Sequence, residues 1–158
     1  MHTLPRRFLT LFGGAVLAIG LTGSPAHAVT SEHNNAVQTS APSNPTFCIN
    51  EDITQNAARA CWVANGDDWY VQDTRADGHS ASVSWEDWAC NDGGSFPCND
   101  LRRKGICRNT FGAGTWAWCN KDYTESDAIY FKAAQTEGWS IIDSTPLWVA
   151  CRPHTSCH

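Results

Sequence analysis

The chain has 158 residues, with 11 Lys and Arg against 16 Asp and Glu and a formal charge of −5. That length suits one small domain, and the acidic balance argues against a nucleic-acid or anionic-membrane partner drawn in by bulk charge. Eight cysteines in so short a chain point instead to a disulfide-stapled scaffold in an oxidising compartment.

The first 28 residues read as a removable signal peptide. Arg6 and Arg7 form a positive start, residues 8–21 an apolar stretch, and Ala26-His27-Ala28 the small-x-small pattern of a cleavage site. The apolar stretch falls short of the roughly 20 residues a comfortable membrane span needs. Cleavage after Ala28 leaves a mature chain of 9 Lys and Arg against 16 Asp and Glu, a formal charge of −7. No later stretch is apolar enough to cross a bilayer, so we expect a secreted protein with no membrane contact in its mature form. Residues 29–46 are polar, carry two prolines and hold almost no large apolar group. They bury too little to offset the entropy of ordering, which predicts a disordered leader before a folded domain at 47–158.

Strand-like segments then alternate with turn signals. Residues 47–49 open the domain, and 52–61 read as a short helix or an irregular loop. Asn65-Gly66 between two apolar runs marks a hairpin. A two-residue loop there sets Trp62 opposite Trp69, whereas a four-residue loop over 65–68 breaks that pair. In residues 79–88, Ala81, Val83 and Trp85 alternate with Ser80, Ser82, Ser84 and Glu86, the period-2 pattern of a half-buried strand. Residues 91–97 form a Gly- and Pro-marked loop. Residues 106–110 and 115–119 read as a hairpin about Gly112-Ala-Gly114. Further strands are expected over 127–135, 139–143 and 147–151. About eight short strands with turns roughly every 8–12 residues predict an all-β antiparallel sandwich or barrel.

The cysteines at 48, 61, 90, 98, 107, 119, 151 and 157 suit four disulfides. Their spacing suggests a sequential scheme: Cys48–Cys61, Cys90–Cys98, Cys107–Cys119 and Cys151–Cys157. The strings from Asp77-Gly-His-Ser-Ala-Ser-Val-Ser to Trp85, and from Cys107-Arg-Asn-Thr-Phe-Gly-Ala-Gly-Thr to Trp116 with Cys119-Asn-Lys-Asp-Tyr following, resemble a group of small secreted actinobacterial proteins of unassigned function. The resemblance covers roughly residues 61–151. It implies a secreted β-domain and carries no catalytic assignment.

Eight tryptophans, at 62, 69, 85, 88, 116, 118, 139 and 148, are the most unusual feature. An indole on a sheet face stacks against the C–H faces of sugar rings, but it also serves as core filler. Trp116 and Trp118, two apart, share a strand face, while Trp85 and Trp88, three apart, do not. Trp88, Trp116, Trp118 and Trp148 are therefore the candidate ligand-binding residues. His79 and Glu86, with Arg75 near them, are the one pair that resembles a hydrolase's acid–base set, although none of the common catalytic motifs is present. The tail Cys151-x-x-His154-x-x-Cys157-His158 has metal-ligand spacing, yet oxidised cysteines cannot ligate, and Asp67, Asp68, Asp73 and Asp77 read as solvated turn carboxylates. We therefore expect no metal and no cofactor. The leading expectation is a monomeric, non-enzymatic module for an extracellular glycan or protein, a carbohydrate or cell-wall surface coming first on the tryptophan count. Next comes an inhibitor of an extracellular hydrolase presenting the disulfide-closed loop 90–98. Third is a small hydrolase using His79 and Glu86.

Overall fold

A computed structural model describes residues 28–50, 56–91, 95–146, 148–151 and 157. The expected signal peptide lies outside them except for Ala28, as do residues 52–55, the centre of the 90–98 loop, and His154 and His158. The described residues form eleven strands and no helix: β1 (Thr30–Asn35), β2 (Val37–Thr39), β3 (Phe47–Asn50), β4 (Ala58–Val63), β5 (Asp68–Asp73), β6 (Ser80–Asn91), β7 (Ser95–Arg108), β8 (Trp116–Asn120), β9 (Ala128–Glu137), β10 (Ser140–Ser144) and β11 (Val149–Cys151). One sheet runs β1-β7-β6-β9-β10, with β11 also paired to β9. The second runs β2-β8-β5-β4-β3. All pairings are antiparallel except β1 with β7. The expected antiparallel sandwich is the fold, with more strands than the turn spacing suggested.

Alternation along each strand decides what fills the space between the sheets. Ala81, Val83 and Trp85 of β6 and Ile129, Phe131 and Ala133 of β9 face inward from the first sheet. Ala60 and Trp62 of β4 and Trp69 and Val71 of β5 meet them from the second. Trp62 sits opposite Trp69, with ring centroids 4.5 Å apart, and Trp69 packs on Phe131 at 4.7 Å. The Trp69 indole N–H donates to the Tyr123 hydroxyl at 2.8 Å, so a polar tip is satisfied within an apolar layer. Positive φ falls on Gly66 and Asp67, one residue later than a type I′ turn at Asn65-Gly66 requires, yet the Trp62–Trp69 register is kept.

The leader expectation is overturned. Residues 30–39 are a single edge segment that pairs with β7, crosses at buried Ala36, and pairs with β8 of the other sheet. Polar anchors hold it where apolar ones are scarce. Glu32 accepts from Arg103 Nη2 at 2.7 Å and from Lys121 Nζ at 2.6 Å, Asn34 accepts from Lys121, and Asn35 accepts from Arg108. The His33 ring stacks on Trp139 at 4.8 Å and 7°.

The 106–119 segment is likewise not a hairpin. β7 lies in the first sheet and β8 in the second, joined by an arch. Buried Asn109 braces the arch, donating to the carbonyls of Val71 and Thr115 and accepting from Phe111 N. Cys107 and Cys119 point into the core from opposite layers, so their disulfide ties the two sheets together. The Cys48–Cys61, Cys90–Cys98 and Cys151–Cys157 disulfides complete the sequential set. Cys48–Cys61 and Cys90–Cys98 join paired positions of neighbouring strands.

At Gly105 the first sheet needs a residue without a side chain. An added Cβ would lie 2.6 Å from both the Glu32 carbonyl oxygen and the indole of buried Trp85. Trp85 therefore lies across β7 only because Gly105 leaves it room, and β1 can pair there only for the same reason.

Candidate functional site

The four candidate tryptophans divide between the two outer faces of the sandwich. Trp116 and Trp118 share one face of β8, as their spacing requires, and that face looks out from the second sheet. Trp88 points outward from β6, three residues after inward Trp85, and Trp148 lies just before β11 over the outside of the same first sheet.

The outer face of the first sheet carries two adjoining clefts. One, of about 280 Å³, is lined by Glu86, Trp88, Cys98, Tyr130 and Trp148. The next, of about 260 Å³, is bounded by His33, Ser84, Glu86, Lys104, Ile106 and Trp148. The register explains the grouping, since Ile106 pairs with Ser84 and Ser84 with Lys132, while Lys104 pairs with Glu86 and Glu86 with Tyr130. A row of outward side chains therefore crosses three strands. Two elements outside the regular strands flank it, one backing His33 and one lining both clefts. At the tip of the β9–β10 hairpin, Trp139 lies against His33, with the Arg108 guanidinium 4.3 Å from its ring, and Arg108 donates to the Gly138 carbonyl. Trp148 borders both clefts, with Lys132 Nζ 4.8 Å from its ring centre. Within the first cleft the Trp88 indole N–H donates to Glu86 at 2.9 Å, and Trp88 meets Tyr130 edge to face at 6.3 Å. These contacts fix the indole's orientation.

His79 and Glu86 do not come together. They lie seven residues apart at and along β6, which at about 3.3 Å per residue separates them by roughly 23 Å. His79 instead joins Asp73 and Arg75 at a cleft of about 470 Å³ between the 74–79 and 110–115 loops. Its backbone N–H caps Asp77, and Asp73 accepts from the Arg75 N–H. Asp73 is buried rather than solvated, and burial raises its pKa, opposed by the Arg75 hydrogen bond and reinforced by the charge of Asp77. Asp67 is buried too and accepts from Tyr123 N at 3.0 Å. Small loop residues line much of this cleft, and among the described residues it holds no Phe, Tyr or Trp side chain. The Cys90–Cys98 disulfide is present, but the 92–94 segment of the proposed inhibitory loop is outside the described residues.

A third polar group packs at the other end of β6. Burial would raise Glu32, but hydrogen bonds from Lys121 and Arg103 outweigh it and hold its pKa low. Asp87 and Asp127 are both fully buried, and Arg102 lies 3.5 Å from Asp127. Burial first, and then the charge and hydrogen bond of Asp127, push Asp87 up to about 7, with Arg103 and Arg102 opposing. Asp87 Oδ1 and both carboxylate oxygens of Asp127 are buried there without a hydrogen-bond partner, so the charged form of Asp87 is poorly compensated. This group ties β1, β7 and the 121–127 segment together. Its place was hidden in the sequence because its members span Glu32 to Asp127.

Among the described residues no group of side chains suits a metal ion, and no helix is long and apolar enough to cross a membrane. Compared with known proteins, the chain matches no family model, no curated protein and no solved structure.

Proposed function

We propose that this protein is a secreted carbohydrate-binding module whose ligand lies across the outer face of the first sheet. One observation carries the reading: Trp88, Tyr130 and Trp148 surround a cleft that runs on into a second one edged by Ser84, Glu86, Lys104 and His33. Apolar ring faces beside hydrogen-bonding groups match a sugar, which has C–H faces and hydroxyl edges. Each cleft is smaller than the roughly 300 Å³ at which enclosed small-molecule pockets begin. Their continuity along an open sheet suits a chain lying across the face rather than an enclosed ligand. Four disulfides agree with an extracellular setting.

Retention of the purified protein on insoluble polysaccharides tests this. Trp88→Ala and Trp148→Ala are each expected to weaken retention about tenfold, as loss of one stacking contact of about 1.4 kcal/mol would. Unchanged retention in the double variant, with the fold intact by circular dichroism, would remove this face as the site.

A further inference from the structure

The positive charges of the described residues sort into two groups. Arg75, Arg102, Arg103 and Lys121 each have a carboxylate within 4.0 Å. Arg59, Lys104, Arg108 and Lys132 have no such partner among the described residues, and three of these four belong to the outer face of the first sheet. Lys104 borders the second cleft, Lys132 stands over the Trp148 ring, and Arg108 lies over Trp139. Among the described residues Glu86 is the one carboxylate bordering either cleft; it keeps its charge while its Oε2 accepts from the Trp88 indole, and it lies more than 4.0 Å from Lys104, its neighbour on β7. A chain of formal charge −5 thus gathers three cations without a close carboxylate on the face that also carries its aromatic clefts.

We infer that the ligand of this face is an anionic polysaccharide, its oxyanions held by Lys104 and Lys132 while its rings lie on Trp88, Tyr130 and Trp148. This rests on the carbohydrate reading above. A neutral glycan would accept hydrogen bonds from exposed Lys104 and half-buried Lys132 but leave their charge unmatched, whereas oxyanions beside them make the stronger charge-assisted bonds. Arg108 has its donors committed to Asn35 and to the Gly138 carbonyl, so it holds Trp139 in place behind His33 and adds to the field. A single-stranded nucleic acid would offer phosphates to the same two cations, so it is carried as a separate arm of the test.

The test is affinity electrophoresis of the full secreted chain in gels containing a polyuronate, a phosphate-bearing teichoic acid, or a neutral glucan or xylan, with a single-stranded oligonucleotide as a fourth arm. Retardation by one of the two anionic polymers, falling several-fold as salt rises from about 50 to about 500 mM, is expected. Whichever of the two retards it identifies the oxyanion as carboxylate or phosphate. Lys104→Gln and Lys132→Gln should each reduce retardation five- to tenfold, and Lys132→Arg should restore it. Equal, salt-independent retardation by neutral and anionic polymers would overturn the anionic inference and leave the carbohydrate reading standing. Retardation by no polysaccharide would remove both, and preference for the oligonucleotide would overturn the inference in favour of nucleic acid.

Discussion

Both outer faces of this sandwich display indoles, and the two aromatic clefts described above lie on the first sheet. On the second sheet, Trp116 and Trp118 come from regular positions of β8, with Tyr70 and Gln72 opposite them on β5 and the Arg59 guanidinium 5.8 Å from the Trp116 ring. On the first sheet, Trp88 and Tyr130 lie in regular strands, whereas Trp139 and Trp148 step out of them, at a hairpin tip and just before β11. Trp148 borders both clefts, and Trp139 backs His33 at the edge of the second. The contrast teaches that strand periodicity can lay aromatics on a surface, while concavity needs residues that leave the ladder.

The sharpest way to break this contrast is to remove indoles in pairs. Trp88→Ala with Trp148→Ala is expected to weaken polysaccharide retention about 100-fold, two stacking contacts together, while Trp116→Ala with Trp118→Ala stays within twofold. Equal losses would make the two faces equivalent. Next in size is Gly105→Ala. A Cβ 2.6 Å from both Trp85 and the β1 backbone should destabilise by about 2–3 kcal/mol and lower Tm by roughly 10 °C. Because β1 carries His33, ligand retention should fall as well. Indifference would show that β1 can shift without cost.

Acid and base should act on the first sheet's edge with opposite signs. Glu32 is held below its unfolded value, so its stabilisation is present above about pH 4.5 and is lost as the pH falls through its lower folded value. Asp87 is raised to about 7, so between about pH 4 and 7 the folded state holds a proton that the unfolded state has released. Stability therefore falls as the pH rises through that window. Denaturant midpoints across pH 3–8 should show the second slope flattened in Asp87→Asn and the first in Glu32→Gln. An unchanged slope in Asp87→Asn would mean that burial does not raise Asp87. The smallest effect is expected for Arg59→Gln on the other face. An exposed cation over Trp116 contributes about 0.5–1 kcal/mol, so its melting shift should be only a few degrees.

The sequence was most legible where a strand has one wet face. The alternation through Ala81, Val83 and Trp85 announces β6 and sends Trp88 to the opposite side. The sequential cysteine spacing matches the disulfides present. The order of residues 30–39 does not come from apolar burial, the signal a sequence displays, but from Glu32, Asn34 and Asn35, held by Arg103, Lys121 and Arg108 more than 70 residues away. The 107–119 stretch misled because cysteines spaced as for a hairpin suit a sheet-to-sheet arch equally well. Of the candidate site, Trp88, Trp148 and Glu86 were visible as residues, but their meeting with Lys104, Tyr130 and His33 is a product of register. No local pattern encodes that.

The sheet-crossing edge segment also sets the order in which this chain can be assembled. β1 and β2 leave the ribosome before any other strand, yet their ladder partners lie at residues 103–108 and 116–118. Closing so long a loop is slow, and until it closes a polar edge segment waits unpaired beside a growing sheet. β1 and β2 thus cannot complete their ladders until their partners, about 70 residues or more later, have been made. Any factor that holds the nascent amino-terminal segment extended would favour the native crossing over pairing with another copy.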